Sequence, residues 1–283
     1  MLRARVRHSS RFKPVKTLHC YAFKQKTCQE TYLEHVEGII DCMSRSWEYR
    51  ALSKKLSRML SISESETESL LHLTAILHDI GKLSDETQRK CIDDECTIFP
   101  THHAISARIA SYLASKANLI YECTKKKCYS DIIFRGKDDQ SANKYVILFY
   151  TLVVFPVLLH NYALTVEKSL VEAIDKTRNI EMINLHRDCV NVIKSLVNKY
   201  LISNLMNKHI QDENSIAFKV ASILVMRLES SSKIELGVLP IEESDMFSHE
   251  YSSWKYVIEA VTGLLNMFDG RVAHRHREER CKA

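Results

Sequence analysis

The stretch LLHLTAILHDIGKLS, residues 70–84, ends an apolar helical run on His78, Asp79 and Lys82. Leu73, Ile76, Leu77 and Ile80 fall at the three- and four-residue spacing of a buried helical face, which by itself needs no charged cluster at its end. Adjacent residues on a helix diverge by about 100°, so His78 and Asp79 meet in one place only where the helix end points into a cleft. Lys82 follows on the same side. A lysine buried beside an aspartate is costly unless an anion is its partner. A metal ion together with a phosphate would satisfy all three residues.

Other histidines sit on apolar helices in the same way. His35 lies in TYLEHVEGII, His102 and His103 open HHAISARIA, and His160 ends FPVLLHNY. One histidine on an apolar face is commonly a satisfied core residue; four helices each offering one make a different case. Imidazoles with a carboxylate suit Mn, Fe, Co, Ni or Zn, and a bridging aspartate can hold two ions about 3.5–4 Å apart. The remaining histidines, His276 among them, are assigned by default to surface or core.

These residues need helices to position them. The chain has 283 residues, 45% hydrophobic, with only six glycines and four prolines. Apolar residues recur at helical spacing, so an all-α domain is expected. Helices are read over 29–47, 49–60, the opening stretch (with SISESETES as its cap and Gly81 as its stop), 102–117, 145–164, 166–175, 180–207, 214–229 and 251–268. Residues 84–99, 121–144 and 230–250 read as loops. The run YVILFYTLVVFPVLLHNYAL has only about fifteen apolar residues before His160 and is interrupted by Pro156, where a span needs roughly twenty. It reads as a buried helix kinked or started near Pro156, in a cytoplasmic chain that does not engage a membrane.

Net charge is +5, unevenly placed. The start carries Arg3, Arg5, Arg7, Arg11, Lys13 and Lys16 without an acid, and the end is again basic. Residues 1–18 read as a basic disordered arm, 19–270 as the helical domain and 271–283 as a basic tail. The segment KKKCYSDIIFRGK offers Lys125, Lys126, Lys127 and Arg135 as phosphate contacts, with Tyr129 and Phe134 as stacking aromatics. Nine cysteines at irregular spacing argue against a secreted disulfide scaffold. The two C-x4-C pairs, Cys91/Cys96 and Cys123/Cys128, read first as incidental thiols, with a structural zinc or an intracellular disulfide as alternatives.

The order L-E-H in an early helix, H-D-I-G-K at a helix end, F-x-x-H-H-x-x-S-A, then an apolar helix ending in histidine, resembles the HD-domain superfamily of metal-dependent phosphohydrolases. More narrowly it resembles the stand-alone CRISPR-associated HD nuclease of type I systems, over roughly residues 20–230. That resemblance implies an HD-domain helical bundle with a metal site between helices. It implies His35, His78 and Asp79 on one ion, with Asp79 bridging to a second held by His103 and His160, and Lys82 near the scissile phosphate. His103 is preferred to His102 because His103-Ala104-Ile105-Ser106-Ala107 matches the H-x-x-S-A element. One or two divalent ions (Mn, Ni, Co, Mg or Zn) are implied as cofactors. Single-stranded DNA or RNA is implied as substrate, with a separate helicase and a crRNA-guided surveillance complex as partners. The chain departs from the family pattern at Asn161, where a second histidine is usual. It departs again in ASILVMRLESSSK, residues 221–233, where Arg227 stands near the place of an expected late aspartate. An HD phosphohydrolase acting on nucleotides and a degenerate helical module are the alternative readings.

Overall fold

The computed structural model describes residues 19–26, 28–119, 130–136, 143–161, 167–203, 215–239 and 252–281. Among them the chain is helical, with two short antiparallel ribbons. Strand β1 (Tyr21–Lys24) pairs with β2 (Gln29–Thr31), and β3 (Met182–Asn184) with β4 (Lys233–Glu235). No helix of the described residues is long and apolar enough to cross a membrane.

Helix α1 (Tyr32–Arg45) starts at Thr31, whose side chain accepts from Glu34 N while Glu34 reaches back to the Thr31 backbone. This reciprocal cap satisfies two of the donors a helix start leaves open. Ser46 caps α2 (Trp47–Leu60), and Ser63 caps α3 (Glu64–Leu77), with Glu64 and Glu66 in its first turn. Helix α3 carries the opening motif. It is buried around its circumference, because Leu70, Leu71, Leu73, Ala75, Ile76 and Leu77 are all within 1% of full burial. Each such leucine or isoleucine contributes about 1.5–3 kcal/mol. Helix α3 stops at His78 rather than at Gly81, and residues Ile80–Leu83 form a 3-10 turn.

Residues 84–99 are not the continuous loop expected. Ser84 caps helix α4 (Asp85–Asp93), which is held by Arg89–Asp85 and Lys90–Glu86 pairs one turn apart. Only Gln88 and Cys91 of this helix are buried, so it has too thin an apolar stripe for periodicity to reveal it. Helix α5 (His102–Lys116) follows. Then come a π-helical turn at Ser130–Phe134 and α6 (Lys144–Phe149), which runs through a π-helical turn (Tyr150–Val154) into α7 (Phe155–Leu159). Pro156 lies in the first turn of α7, where the π-helical turn gives way, so a helical segment does start beside it as expected. Lacking an N–H, it cannot bond the carbonyl four residues back, that of Leu152. The Thr74 hydroxyl lies 2.7 Å from that carbonyl and ties the π-helical turn to the motif helix.

Beyond α8 (Glu167–Thr177), residues 180–207 are not one helix. Strand β3 comes first, then α9 (Arg187–Val197) with a π-helical extension at Asn198–Ile202. Helix α10 (Ile216–Ser230) packs on α3 and α5, and β4 follows it. The last helix, α11 (Ser253–Cys281), continues well past residue 270, with Val272 fully buried. The expected boundary between domain and basic tail at 270/271 is therefore no structural boundary. The basic charge lies on a helix whose apolar face packs on α1 and α7. The expected arm over residues 1–18 lies outside the described residues.

Cys91 and Cys96, read first as incidental thiols, take the disulfide alternative, and a further pair that the sequence reading did not single out is bonded as well. Cys20 joins Cys189, tying β1 to α9, and Cys91 joins Cys96 across the end of α4. Cys123 and Cys128 lie outside the described residues.

Candidate metal centre

Four helices deliver imidazoles to one place. His78 ends α3 and His160 ends α7, while His102 opens α5 and His35 lies in the first turn of α1. The negative ends of the α3 and α7 dipoles favour a cation there, and the positive end of α5 faces the Asp79 carboxylate. Close approach of α5 depends on Gly81. A Cβ at this position would overlap the His102 carbonyl, and the Gly81 N–H instead donates to Ser106 Oγ at 2.9 Å.

Each ring is fixed from behind. His78 Nδ1 bonds the Ala75 carbonyl at 2.8 Å, His160 Nδ1 the Val157 carbonyl at 2.7 Å and His102 Nδ1 the Phe99 carbonyl at 2.5 Å. Thr101, at φ 64°, holds the left-handed turn that brings Phe99 under His102. His35 Nδ1 bonds Glu30 Oε1 at 2.9 Å. A carbonyl accepts only from N–H, so His78, His102 and His160 donate from Nδ1 and turn Nε2 to the centre. Such outer partners fix the tautomer of metal-binding histidines.

The Nε2 atoms converge on Asp79, which is 1% exposed. Asp79 Oδ1 lies 3.2 Å from His102 Nε2 and 3.4 Å from His160 Nε2. Oδ2 lies 3.3 Å from His78 Nε2, 3.7 Å from His35 Nε2 and 2.5 Å from Lys82 Nζ. His102 and His160 bring their Nε2 atoms to 3.3 Å of each other. Metal-ligating nitrogens and carboxylate oxygens are thus crowded into one buried place, an arrangement that a cation between them would stabilise. His35 Nε2, His78 Nε2 and Asp79 Oδ1 are also buried without a directed hydrogen bond among the described residues. The donor set therefore fits divalent metal. Two groups of three have ligand atoms close enough to share an ion: His35, His78 and Asp269, and Asp79, His102 and His160. Asp79 presents one oxygen to each.

The electrostatics follow the same geometry. Burial alone would raise the Asp79 carboxyl, but the Lys82 ammonium and His78 hold it well below the carboxylate range. Burial would likewise lower His35, yet its bonds to Asp269 and Glu30 outweigh this and raise it to about 10. Burial pushes His102 down, and it pushes His103 down to about 3.

The structure brings together His35, His78, Asp79, Lys82 and His160 and departs from the expectation at two ligands. His102, not His103, belongs to the Asp79 group; His103 is 7% exposed with its Nε2 directed elsewhere. His102 and His103 diverge by about 100° on α5, and with Thr101 in the left-handed turn before them it is His102 that falls in the group with Asp79. The late acid is Asp269 on α11, 3.1 Å from His35 Nε2, rather than a residue of 221–233. Arg227 points instead toward Glu235, 3.6 Å away. Asn161 places its amide nitrogen 3.0 Å from His102 Nε2 and 3.2 Å from His160 Nε2, so it faces the same group. Sequence reasoning also passed over Glu30 and His276. Of the candidate strand contacts, Arg135 is exposed, while Lys125, Lys126, Lys127 and Tyr129 lie outside the described residues. Phe134 is unsuited to stack a base: it is 2% exposed and packs edge-on against Phe155. Phe99 has the rim position, with Lys82 Nζ 5.1 Å from its ring centre.

Residues 31–121 match the family model described as Cas3, HD domain. The match spans about a third of the chain. It contains His35, His78, Asp79, Lys82 and His102 and ends before His160 and Asp269. The comparison with curated proteins found no match.

Proposed function

We propose, from a chain whose residues 31–121 form an HD domain of the Cas3 type, that this centre is a two-ion phosphodiesterase that cuts single-stranded DNA. HD domains of this kind are metal-dependent phosphohydrolases. The narrower reading adds the substrate strand, and with it a helicase and a crRNA-guided complex as partners in CRISPR interference. The observation that carries it is the convergence of four imidazole Nε2 atoms on the Asp79 carboxylate, with Asp269 and Lys82 beside them.

In this reading His35, His78 and Asp269 would hold one ion, and Asp79, His102 and His160 would hold the other. Mn, Ni, Co, Mg or Zn are the candidate ions; the imidazole-rich set favours the transition metals over Mg. Ions so held supply Lewis-acid polarisation of a phosphoryl oxygen and a more acidic water. The chain's own residues do the rest. Lys82 turns its ammonium from Asp79 toward the phosphoryl oxygens and offsets the charge that builds on them. The carbonyls of Ala75, Phe99 and Val157 keep the rings oriented throughout. Asn161 can present its amide oxygen to the second group by rotating its side chain, since nitrogen and oxygen are exchanged by a half-turn. Arg227, turned to Glu235, offers no repulsion to either ion.

The test is cleavage of labelled single-stranded DNA by metal-stripped protein, with Mn²⁺, Ni²⁺, Co²⁺, Mg²⁺ and Zn²⁺ returned singly and Asp79→Ala alongside. Metal-dependent cutting that disappears in Asp79→Ala is expected. A folded protein that cuts no strand with any ion but hydrolyses nucleotides would move the assignment to a nucleotide phosphohydrolase.

A further inference from the structure

The last helix reaches the centre twice. Asp269 and His276 are seven residues apart on α11, about two turns, and so share a face. Val272 lies between them and packs on Gly38 of α1, where an added Cβ would stand 2.9 Å from Val272 Cγ1. The missing side chain lets the two helices close. Asp269 then meets His35 Nε2 at 3.1 Å, and His276 Nδ1 meets Glu30 Oε1 at 2.6 Å. The same Glu30 oxygen accepts from His35 Nδ1 at 2.9 Å. A chain of four side chains results, His276–Glu30–His35–Asp269, whose two ends belong to α11 and whose middle belongs to β2 and α1.

Glu30 is 2% exposed, and a buried carboxylate with no cationic or N–H partner is costly. Two imidazoles share its oxygen, and the one that is no candidate ligand, His276, sits at the solvent edge with 18% exposure.

We propose that Glu30 and His276 are positioning residues for the first ion. Glu30 sets the His35 ring so that its Nε2 faces the His35–His78–Asp269 group. His276 hydrogen-bonds Glu30 and clamps α11 so that Asp269 stays in that group. The inference rests on the two-ion reading above. It makes the helical tail, rather than the motif segment alone, the determinant of ion retention at one of the two positions. The Asp79–His102–His160 group is linked to this chain only through Asp79, and among the described residues neither His102 nor His160 is bonded to α11.

The experiment is Co²⁺ titration of the metal-stripped full chain, followed by calorimetry and by the visible absorption of bound Co²⁺. Asp269→Ala and His102→Ala identify the two binding transitions. Outer partners of metal ligands typically change affinity by about 10–100-fold. Glu30→Ala and His276→Ala are therefore expected to weaken the first transition by that factor, leave the second within about twofold and shift the first-site absorption spectrum. His276→Gln, whose amide can still donate to Glu30, should restore most of the affinity. Equal weakening of both transitions would mark a general loss of structure and overturn the proposal. So would unchanged binding in folded Glu30→Ala and His276→Ala. A wild-type chain that takes up two ions with those variants unaffected would leave the phosphodiesterase reading standing and remove only this one. Uptake of a single ion, or none, by the wild type would remove both.

Discussion

Lys82 Nζ stands 2.5 Å from the Oδ2 oxygen of Asp79, the residue shared by both candidate ligand groups. Lys82 retains 15% exposure whereas Asp79 has 1%, so the ammonium is the member of the pair that a ligand entering from outside can reach. Loss of a preorganised charge of this kind costs about 10²–10³ in kcat. Lys82→Met should therefore lower single-strand cleavage by that order while the protein still takes up its ions. Cleavage rates and metal content of the same preparation check it; undiminished cleavage would remove Lys82 from the chemistry.

Gly81 is where the motif helix and α5 touch. An alanine there would press its Cβ into the His102 carbonyl, backbone against backbone, with no flexible side chain to yield. Overpacking of this sort costs about 1–3 kcal/mol. Gly81→Ala should lower Tm and weaken the Asp79–His102–His160 group more than the group containing His35. Thermal melting and Co²⁺ titration together read both effects.

The metal-free chain should be most stable in mildly acidic solution. His35 is held up at about 10, so its contribution is complete below the ordinary value of about 6.5 and is lost as pH rises toward 10. Asp79 and Asp269 are held down by Lys82, His78 and His35, so theirs is complete above about 4 and is lost as pH falls further. Bound metal replaces the proton on His35 and should abolish the alkaline loss. Tm measured from pH 4 to 10 with and without Co²⁺ tests this; identical alkaline arms would contradict it.

The Cys20–Cys189 bond closes a long loop, the two residues standing 169 apart in sequence. Cross-links of this class contribute about 2–4 kcal/mol, largely by restricting the unfolded chain. Cys20→Ser with Cys189→Ser should lower stability by that amount in denaturant unfolding, whereas wild-type protein under reducing conditions should approach the double variant. Equal stability of the oxidised wild type and the double variant would show that the bond adds nothing.

Much of the positioning scaffold is legible in the residues. Thr31, Ser46 and Ser63 announce helix starts through local hydrogen bonds, and the apolar spacing of α3 and of residues 144–159 announces burial. Helix α4 was missed because Asp85–Asp93 is stabilised by charge pairs rather than by an apolar face. The end of α11 was missed because basic composition masks the stripe of Asp269, Val272 and His276.

The sequence by itself determined that His78, Asp79 and Lys82 would share a helix end, and that His35 and His160 would come from other helices. Order along the chain and local periodicity carry that information. Only the tertiary structure decided between His102 and His103, since one residue's rotation about α5 separates a neighbour of Asp79 from a core side chain, and the turn at Thr101 precedes both. Only the tertiary structure produced Asp269, Glu30 and His276 as members of the centre. Their meeting with His35 depends on how closely α11 packs across Gly38 on α1, a distance that no spacing within either segment records.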